Sequence, residues 1–328
     1  MAYPPEKLKI AEETLDLLET KARTMSVQMW ANLVWMPRFE PMTLALQGML
    51  RLHAKDITVK GKENLDKATK KASDEGKTII FTPKHDADLN TPAIRAGLEI
   101  VGYRHLANNT VWIAGENMLI RPQILPFTLS EEVIYIATPD DLYKIEQSLK
   151  NPALSPIDLR RAQWIELTFK RMNKKAAEKE REAITLGKHL GVYPEGGRSY
   201  DGYMKKAPRQ VVVYLPRDGS AVVIPVVVKG TDEINPPNQD WSPEKVLPEN
   251  RKDVEVIFGE SYSSSDPWTW KKRGRERIDL VMAHIFNTDP TVKVRVEERE
   301  IYREVMLEYD DSNSGLEYHP GRNRISLI

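Results

Sequence analysis

Residues 221–228 read Ala-Val-Val-Ile-Pro-Val-Val-Val. An uninterrupted apolar run rich in β-branched side chains is typical of a strand that is buried on both faces of a sheet. Pro225 has no N–H to donate, so we expect the strand either to bend there or to place that residue where the ladder needs no donor. The run therefore predicts a central strand of a sheet that is covered on both faces.

Shorter runs of the same kind occur along most of the 328-residue chain, with helical patterns between them. The runs that we expect to form strands are Ile57–Lys60, Thr78–Phe81, Val111–Ala114, Val133–Ala137, Leu190–Tyr193 and Val254–Phe258. Strands that alternate with helices are typical of α/β proteins. The sequence therefore predicts a central mixed, largely parallel sheet flanked by helices.

Residues 1–52 predict an N-terminal helical extension. Apolar residues recur there at spacings of three and four, as on one face of a helix: Leu8, Ala11, Leu15, Leu18, Ala22 and Met25. A second helical stretch, Met29–Met36, is broken near Pro37 and Pro41 and resumes over Leu44–Leu52. Two interpretations fit the pattern: the helices pack on the core as a hairpin, or their Met and Trp side chains lie at a lipid interface.

We expect an α/β domain over residues 53–290, with a helical insertion at about 139–190. Within the insertion, Ser155-Pro156-Ile157-Asp158 combines a hydroxyl cap, a proline in the first turn and an acid near the helix dipole, which predicts a helix start. Apolar residues keep helical spacing from there as far as Leu190. One face of this helix is basic, and it is either solvated or a docking surface for an acidic acyl carrier.

The C-terminal part predicts one further helix and a tail. Asp266-Pro267 begins a helix that we expect to continue through Phe286, and its Trp268 and Trp270 lie beside basic residues. These tryptophans either pack or contact a membrane surface. The tail, residues 291–328, contains one predicted strand, Val292–Val296, and ends in a polar stretch without a structural pattern.

Composition excludes several classes of function. Lys plus Arg and Asp plus Glu both total 48, so no net charge points to a nucleic-acid partner. The chain has no cysteine, which excludes disulfides, thiolate metal sites and cysteine nucleophiles and fits a cytoplasmic protein. No paired histidines at ligand spacing and no dinucleotide glycine signature are present, so we expect no metal and no bound cofactor. The apolar stretch Met25–Met36 is shorter than the ~20 residues that span a bilayer, so any membrane contact is expected to be peripheral.

Two stretches carry the chemistry. Residues 192–199 read Val-Tyr-Pro-Glu-Gly-Gly-Arg-Ser, and His85 follows the predicted strand Thr78–Phe81. The glycine pair lets backbone N–H groups approach an anion, and Arg198 offers a charged fork that matches phosphate. His85 can take a proton from a hydroxyl, and its place after a strand is where open α/β sheets bind ligands. Together the stretches predict phosphate-monoester binding beside a general base.

Four blocks in order resemble the family of glycerol-phosphate and lysophosphatidate acyltransferases. They lie at residues 84–94, 115–119, 192–199 and 223–230, and the resemblance covers roughly residues 55–290. It implies transfer of a fatty acyl group to the hydroxyl of glycerol 3-phosphate or lysophosphatidate in phospholipid synthesis. The implied donors are acyl-CoA, acyl-ACP or an acyl phosphate, and the implied place of action is the membrane surface, where the protein is peripheral.

The resemblance implies His85 as the catalytic base, with one departure. The family pattern His-x4-Asp has an aspartate that orients the histidine, and Asn90 stands at that position here. An amide oxygen can accept a hydrogen bond from the ring but carries no charge. Asn90 is therefore either the orienter itself, in which case Asn90→Asp would raise kcat, or it is replaced in that role by Asp88 or Asp86.

The acceptor's phosphate is expected to bind at the third block. The resemblance implies that it is held by Glu195, Gly196, Gly197, Arg198 and Ser199. Arg121, just after the second block, is a further candidate ligand. A second family arginine is replaced by Tyr200, and Lys205 or Lys206 is expected to restore that charge. Two rival functions stay open: an acyltransferase-like protein that binds phosphate and lipid with weakened catalysis, or an acyltransferase for another polar acceptor.

Overall fold

The computed structural model describes residues 5–31, 33–115, 129–197, 199, 201–208, 219–234, 248–266, 269, 272 and 274–313. Nine strands of these residues form one sheet. Their bounds are β1 Trp35–Met36, β2 Ala54–Lys60, β3 Thr78–Pro83, β4 Thr110–Gly115, β5 Glu132–Ile136, β6 His189–Val192, β7 Ala221–Lys229, β8 Lys252–Phe258 and β9 Tyr262–Ser263.

The sheet is mixed and largely parallel, as predicted. Its order is β1-β5-β4-β6-β3-β7-β8-β2, with β9 paired to β7. The five strands from β5 to β7 in that order are parallel. Strand β1 runs antiparallel to β5, β8 and β9 run antiparallel to β7, and β2 pairs in parallel with β8. Strand β7 lies between β3 and β8, and its residues from Ala221 to Val228 are all buried, which confirms the central strand. Each of the six shorter runs between Ile57 and Phe258 also overlaps a strand.

Helices cover the sheet and join its strands. Their bounds are α1 Pro5–Trp30, α2 Glu40–His53, α3 Lys62–Asp74, α4 Asn90–Ile100, α5 Arg104–Asn109, α6 Pro139–Leu149, α7 Pro156–Thr185, α8 Thr231–Ile234, α9 Arg275–Thr288 and α10 Val296–Asn313. The predicted start at Ser155 is confirmed, since its hydroxyl accepts a hydrogen bond from the Asp158 N–H at the first turn of α7. Within the described residues, each helix is too short or too polar to cross a bilayer.

Helix α1 packs against α6 and α7. Its buried face includes Leu15, Leu18, Ala22 and Met25. Lys21 Nζ lies 2.5 Å from Asp141 Oδ1, and both side chains are buried. Met25 therefore packs in the interior and does not meet lipid.

The helix predicted over Met29–Met36 is wrong at its second half. Trp35 and Met36 form β1, which pairs antiparallel with the edge of β5, and the Trp35 indole N–H donates to Glu132 Oε1 at 2.9 Å. The backbone groups of Trp35 and Met36 thus form hydrogen bonds with the open edge of β5, whereas in a helix they would form them within the same segment. Pro41 lies in the first turn of α2, where its missing N–H costs nothing, so it begins a helix and does not break one.

Two predicted helix bounds are corrected by glycines. Helix α7 ends at Thr185, Gly187 has φ of 74°, and Leu190 belongs to β6. Helix α9 begins only at Arg275, because Gly274 has the non-helical angles φ 54° and ψ −115°. No single helix therefore runs from Asp266 to Phe286. Pro267, Trp268, Trp270, Lys271 and Arg273 lie outside the described residues.

The strand predicted at Val292–Val296 is wrong. Residues 292–295 are a connection outside helices and strands, and α10 begins at Val296 and packs along α9. Val292 and Val294 are nevertheless buried, so the alternating pattern reflects burial of alternate side chains without a strand ladder. Residues 314–328 lie outside the described part.

His284 in α9 is buried among aromatic rings. Its ring stacks on Tyr262 with centroids 4.3 Å apart and meets the edge of Tyr309 at 5.1 Å. Burial lowers the pKa of His284 to about 3. The native protein therefore keeps this imidazole neutral at pH values where an unfolded chain protonates it.

We expect the stability of the protein to fall as the pH drops below about 6.5, in part because of His284. Between about pH 6.5 and 3 the unfolded histidine binds a proton that the native one does not, which costs up to ~1.4 kcal/mol per pH unit. His284→Phe keeps a ring and removes this slope, so its free energy of unfolding relative to wild type should rise as pH falls. Urea unfolding from pH 7 to 4 measures it. His105→Phe, at an exposed position, is the control, and a pH-independent difference for His284→Phe would contradict the assignment.

Candidate active site

The first and third sequence blocks meet at the carboxyl edge of the parallel strands. Strand β3 ends at Pro83 and β6 ends at Val192, and the two strands are parallel neighbours. The loop that carries His85 therefore lies beside the segment that begins at Tyr193. This edge is where open α/β sheets bind ligands.

The main chain of His85 is held on both sides by the third block. Its N–H donates to Glu195 Oε1 at 2.7 Å, and its carbonyl accepts from the Ser199 N–H at 2.8 Å. The half-buried imidazole lies against the Tyr193 ring, with centroids 4.2 Å apart. The backbone on either side of the candidate base is thus fixed by residues that are distant in sequence.

Glu195 connects three segments through its carboxylate. Besides the His85 N–H, it accepts from the Lys205 N–H at 2.6 Å, and the side chain is buried. Burial raises the pKa of Glu195 to about 8, while the two N–H donors and the nearby Lys84 ammonium oppose that rise. Both carboxylate oxygens thus accept hydrogen bonds from backbone N–H groups. Glu195 therefore holds the His85 loop in position.

Asn90 is the centre of a buried hydrogen-bond network. Its side-chain amide donates to the Lys84 carbonyl at 3.0 Å and to Asp86 Oδ1 at 2.8 Å. Its oxygen accepts from the Thr231 hydroxyl at 2.6 Å, and the residue has no exposed surface. Both amide hydrogens are therefore engaged with the His85 loop, and the amide oxygen joins that loop to Thr231 at the start of α8.

Charged side chains in and beside the His85 loop extend this network. Lys84 Nζ lies 2.5 Å from Asp86 Oδ2, and both side chains are buried. In α8, burial raises the pKa of Asp232, and the nearby Asp86 carboxylate adds to that rise. Lys84, Thr231 and Asp232 also belong to the site, although they were not predicted from the sequence. Their positions directly after strands β3 and β7 were the feature of the sequence that could have identified them.

In the Gly-Gly turn, one glycine adopts a backbone conformation that other residues rarely adopt. Gly196 has φ of 67°, a left-handed angle that favours glycine. A Cβ at Gly197 would meet nothing within 4 Å, so the space beside it is open. Ser199 is fully buried, and its hydroxyl donates to the Tyr203 carbonyl at 2.6 Å.

The other predicted site residues divide into two groups. Asp88 and Lys205 are half-buried, and Asp88 lies in the same loop as His85. Arg198 and Arg121 lie outside the described residues, as does Tyr200. In the part of the chain that the structure describes, no group of three or more His, Asp or Glu residues is placed to hold a metal ion.

No protein-family model matches the chain, and no curated protein sequence matches it. Among solved structures, the chain is similar to the 1-acyl-sn-glycerophosphate (LPA) acyltransferase PlsC from Thermotoga maritima, with a TM-score of 0.40 and 13% identity. The match covers 94% of this chain and 100% of that one.

Proposed function

We propose that this protein transfers a fatty acyl group from an acyl thioester or acyl phosphate to the hydroxyl of glycerol 3-phosphate or lysophosphatidate. The observation that carries the proposal is the junction of the two blocks, where His85 is held between Glu195 and Ser199. This junction sets the loop of a candidate proton acceptor beside the Gly-Gly turn, and Arg198, which follows that turn in the sequence, is suited to a phosphate monoester.

In the proposed reaction, His85 takes the proton of the acceptor hydroxyl as the oxygen attacks the carbonyl carbon of the donor. The new C–O bond forms, and the tetrahedral intermediate collapses by breaking the bond to sulfur or to the phosphate oxygen. The imidazolium returns its proton to the leaving group. The acyl donor brings the activation, so no bound cofactor is required.

We propose Asp88 as the carboxylate that supports the His85 imidazolium. Asn90 has both amide hydrogens on Lys84 and Asp86 and its oxygen on Thr231, so its observed bonds serve the loop. Asp88 is an anionic side chain in the same short connection between β3 and α4. An opposite charge near the ring favours its protonated form.

A panel assay tests the proposed function. Wild-type protein is incubated with vesicles, labelled acyl-CoA, acyl-ACP or acyl phosphate, and a set of phosphorylated, amine and sugar acceptors. We expect transfer to glycerophosphate-type acceptors, and we expect Arg198→Ala to raise the acceptor KM about tenfold while leaving donor KM nearly unchanged. Transfer to amines or sugars alone would indicate another acceptor class. Phosphate-ester binding without any transfer would favour the binding-protein alternative.

We also propose that the protein acts at the cytoplasmic membrane surface, bound through exposed side chains. Trp30 at the end of α1 is 90% exposed. On α7, the exposed Ile157, Trp164 and Leu167 recur at helical spacing, and the exposed Arg160 and Arg171 continue the same stripe. An apolar and basic stripe of this kind suits an anionic lipid surface.

Removing two side chains of this stripe should weaken attachment. Trp164→Ala combined with Leu167→Ala is expected to lower co-sedimentation with anionic vesicles by at least about tenfold, because each buried apolar side chain contributes about 1.5–3 kcal/mol. Leu307→Ala, which removes an exposed apolar side chain on α10, is the matched control. Equal vesicle binding by wild type and the double variant would reject the stripe as the contact.

A further inference from the structure

Tyr193 joins the candidate base to a buried ring of the sheet. The His85 and Tyr193 rings have centroids 4.2 Å apart and planes tilted by 34°. Trp112 on β4 stacks on the same tyrosine at 5.5 Å and 27°, and Trp112 is only 6% exposed. The orientation of the half-buried imidazole is thus coupled to a ring that belongs to the core.

The sequence makes room for this arrangement. Gly191 on β6 is the register partner of Trp112 on β4, and a Cβ at Gly191 would lie 2.3 Å from Trp112 Cε3. Any larger residue there would displace the indole. The Tyr193 hydroxyl lies 2.7 Å from Thr91 Oγ1 in the first turn of α4. Tyr193 is therefore fixed through its ring by Trp112 and through its hydroxyl by Thr91.

We propose that Tyr193 is a positioning residue for His85, whose ring face keeps the imidazole plane in place and stabilises the imidazolium. The face of an aromatic ring carries partial negative charge and attracts a cation within about 6 Å of its centroid. The Tyr193 ring face therefore favours the protonated form of the His85 imidazole over the neutral form.

The catalytic consequence rests on the proposed function. When His85 takes the proton of the acceptor hydroxyl, positive charge develops on the imidazole in the transition state and is absent from the ground state. Stabilisation of that charge by Tyr193 therefore raises kcat and leaves the acceptor KM nearly unchanged. A residue that only filled space would show no such dependence on the charge of its ring face.

The proposal is tested by replacing Tyr193 with aromatic side chains that have nearly the same shape but differ in the negative charge of the ring face. Tyr193→Phe is compared with Tyr193 replaced by mono-, di- and trifluorinated phenylalanine, since fluorine withdraws the negative charge of the ring face. The pKa of His85 is read by NMR titration, and its signal among the six histidines is identified by its loss in His85→Gln. We expect the pKa to fall with each fluorine, by about 0.5–1 unit over the series, and kcat to fall by up to about tenfold.

Tyr193→Leu removes the ring face altogether and should lower the pKa of His85 and kcat at least as far as trifluorophenylalanine does. Tyr143→Leu, at an exposed position on α6, should change neither. A His85 pKa that does not vary along the fluorine series would overturn the proposal. A graded pKa in a protein that transfers no acyl group would leave the role of Tyr193 standing and reject the proposed function.

Discussion

His85→Ala is expected to abolish acyl transfer, with a loss in kcat of about 10³ or more, since a positioned general base contributes about 10²–10⁴ and the imidazole also fixes the attacking oxygen. The hydrogen bonds that hold the loop are made by the main chain of His85. Its N–H donates to Glu195, and its carbonyl accepts from the Ser199 N–H. Alanine keeps both of them. The variant should therefore stay folded and lose its chemistry alone.

Steady-state kinetics and thermal unfolding measured on the same preparation separate the two effects. Free imidazole should restore part of the activity of His85→Ala. His85 is only half-buried, so the space left by its ring is open to solvent. His105→Ala, at an exposed histidine, serves as the control and should behave as wild type. Transfer that persists in His85→Ala at more than about one tenth of the wild-type kcat would remove the mechanism.

Asn90→Asp is expected to lower both stability and kcat, the opposite of what the sequence resemblance alone implies. The substitution removes the two hydrogen bonds that the amide donates to Lys84 and Asp86. It also places a second buried carboxylate against Asp86, whose existing cation, Lys84, is already 2.5 Å away. Losing hydrogen bonds to a charged group and pairing like charges should together cost about 2–4 kcal/mol in the free energy of unfolding.

The pH dependence of this loss identifies its cause. Two carboxylates in contact raise the pKa of the pair in the folded state, so the folded variant holds a proton that the unfolded chain releases. Its stability relative to wild type should therefore fall as pH rises from about 4 to 7. Asn151→Asp is the matched control, because Asn151 uses its side-chain oxygen to accept from the Ala153 N–H and aspartate keeps that bond. A rise in kcat for Asn90→Asp would show that Asn90 orients His85 after all.

The parallel sheet was predictable because its signal is local. Apolar runs such as Ala221–Val228 report burial on both faces, and the strand that they predict is the one at the centre of the sheet. The two errors in assigning strands came from the tertiary surroundings, whereas the two helix bounds were moved by local glycines. The edge of β5 drew Trp35 and Met36 into a strand, and the connection at Val292–Arg295 buried alternate side chains without a ladder.

The site shows the same division. Its two blocks were visible in the sequence, because a histidine after one strand and a Gly-Gly turn after another must both lie at the carboxyl edge of a parallel sheet. Their mutual contacts were not visible. Glu195 binds the main chain of His85, Tyr193 stacks on the His85 ring, and Thr231 binds the Asn90 side chain. Each of these contacts joins residues more than 100 positions apart in the chain.

By itself the sequence determined the α/β class, the strands and the two segments that carry the chemistry, because burial, strand propensity and turn conformation are properties of short stretches. Tertiary structure alone decided what each polar side chain does. Asn90 stands where the sequence resemblance implies an orienting residue, yet in the fold its amide binds Lys84 and Asp86. A hydrogen bond is directional and reaches only about 3 Å, so its partner is chosen by the packing of strands β3 and β7 and not by the identity of the residue.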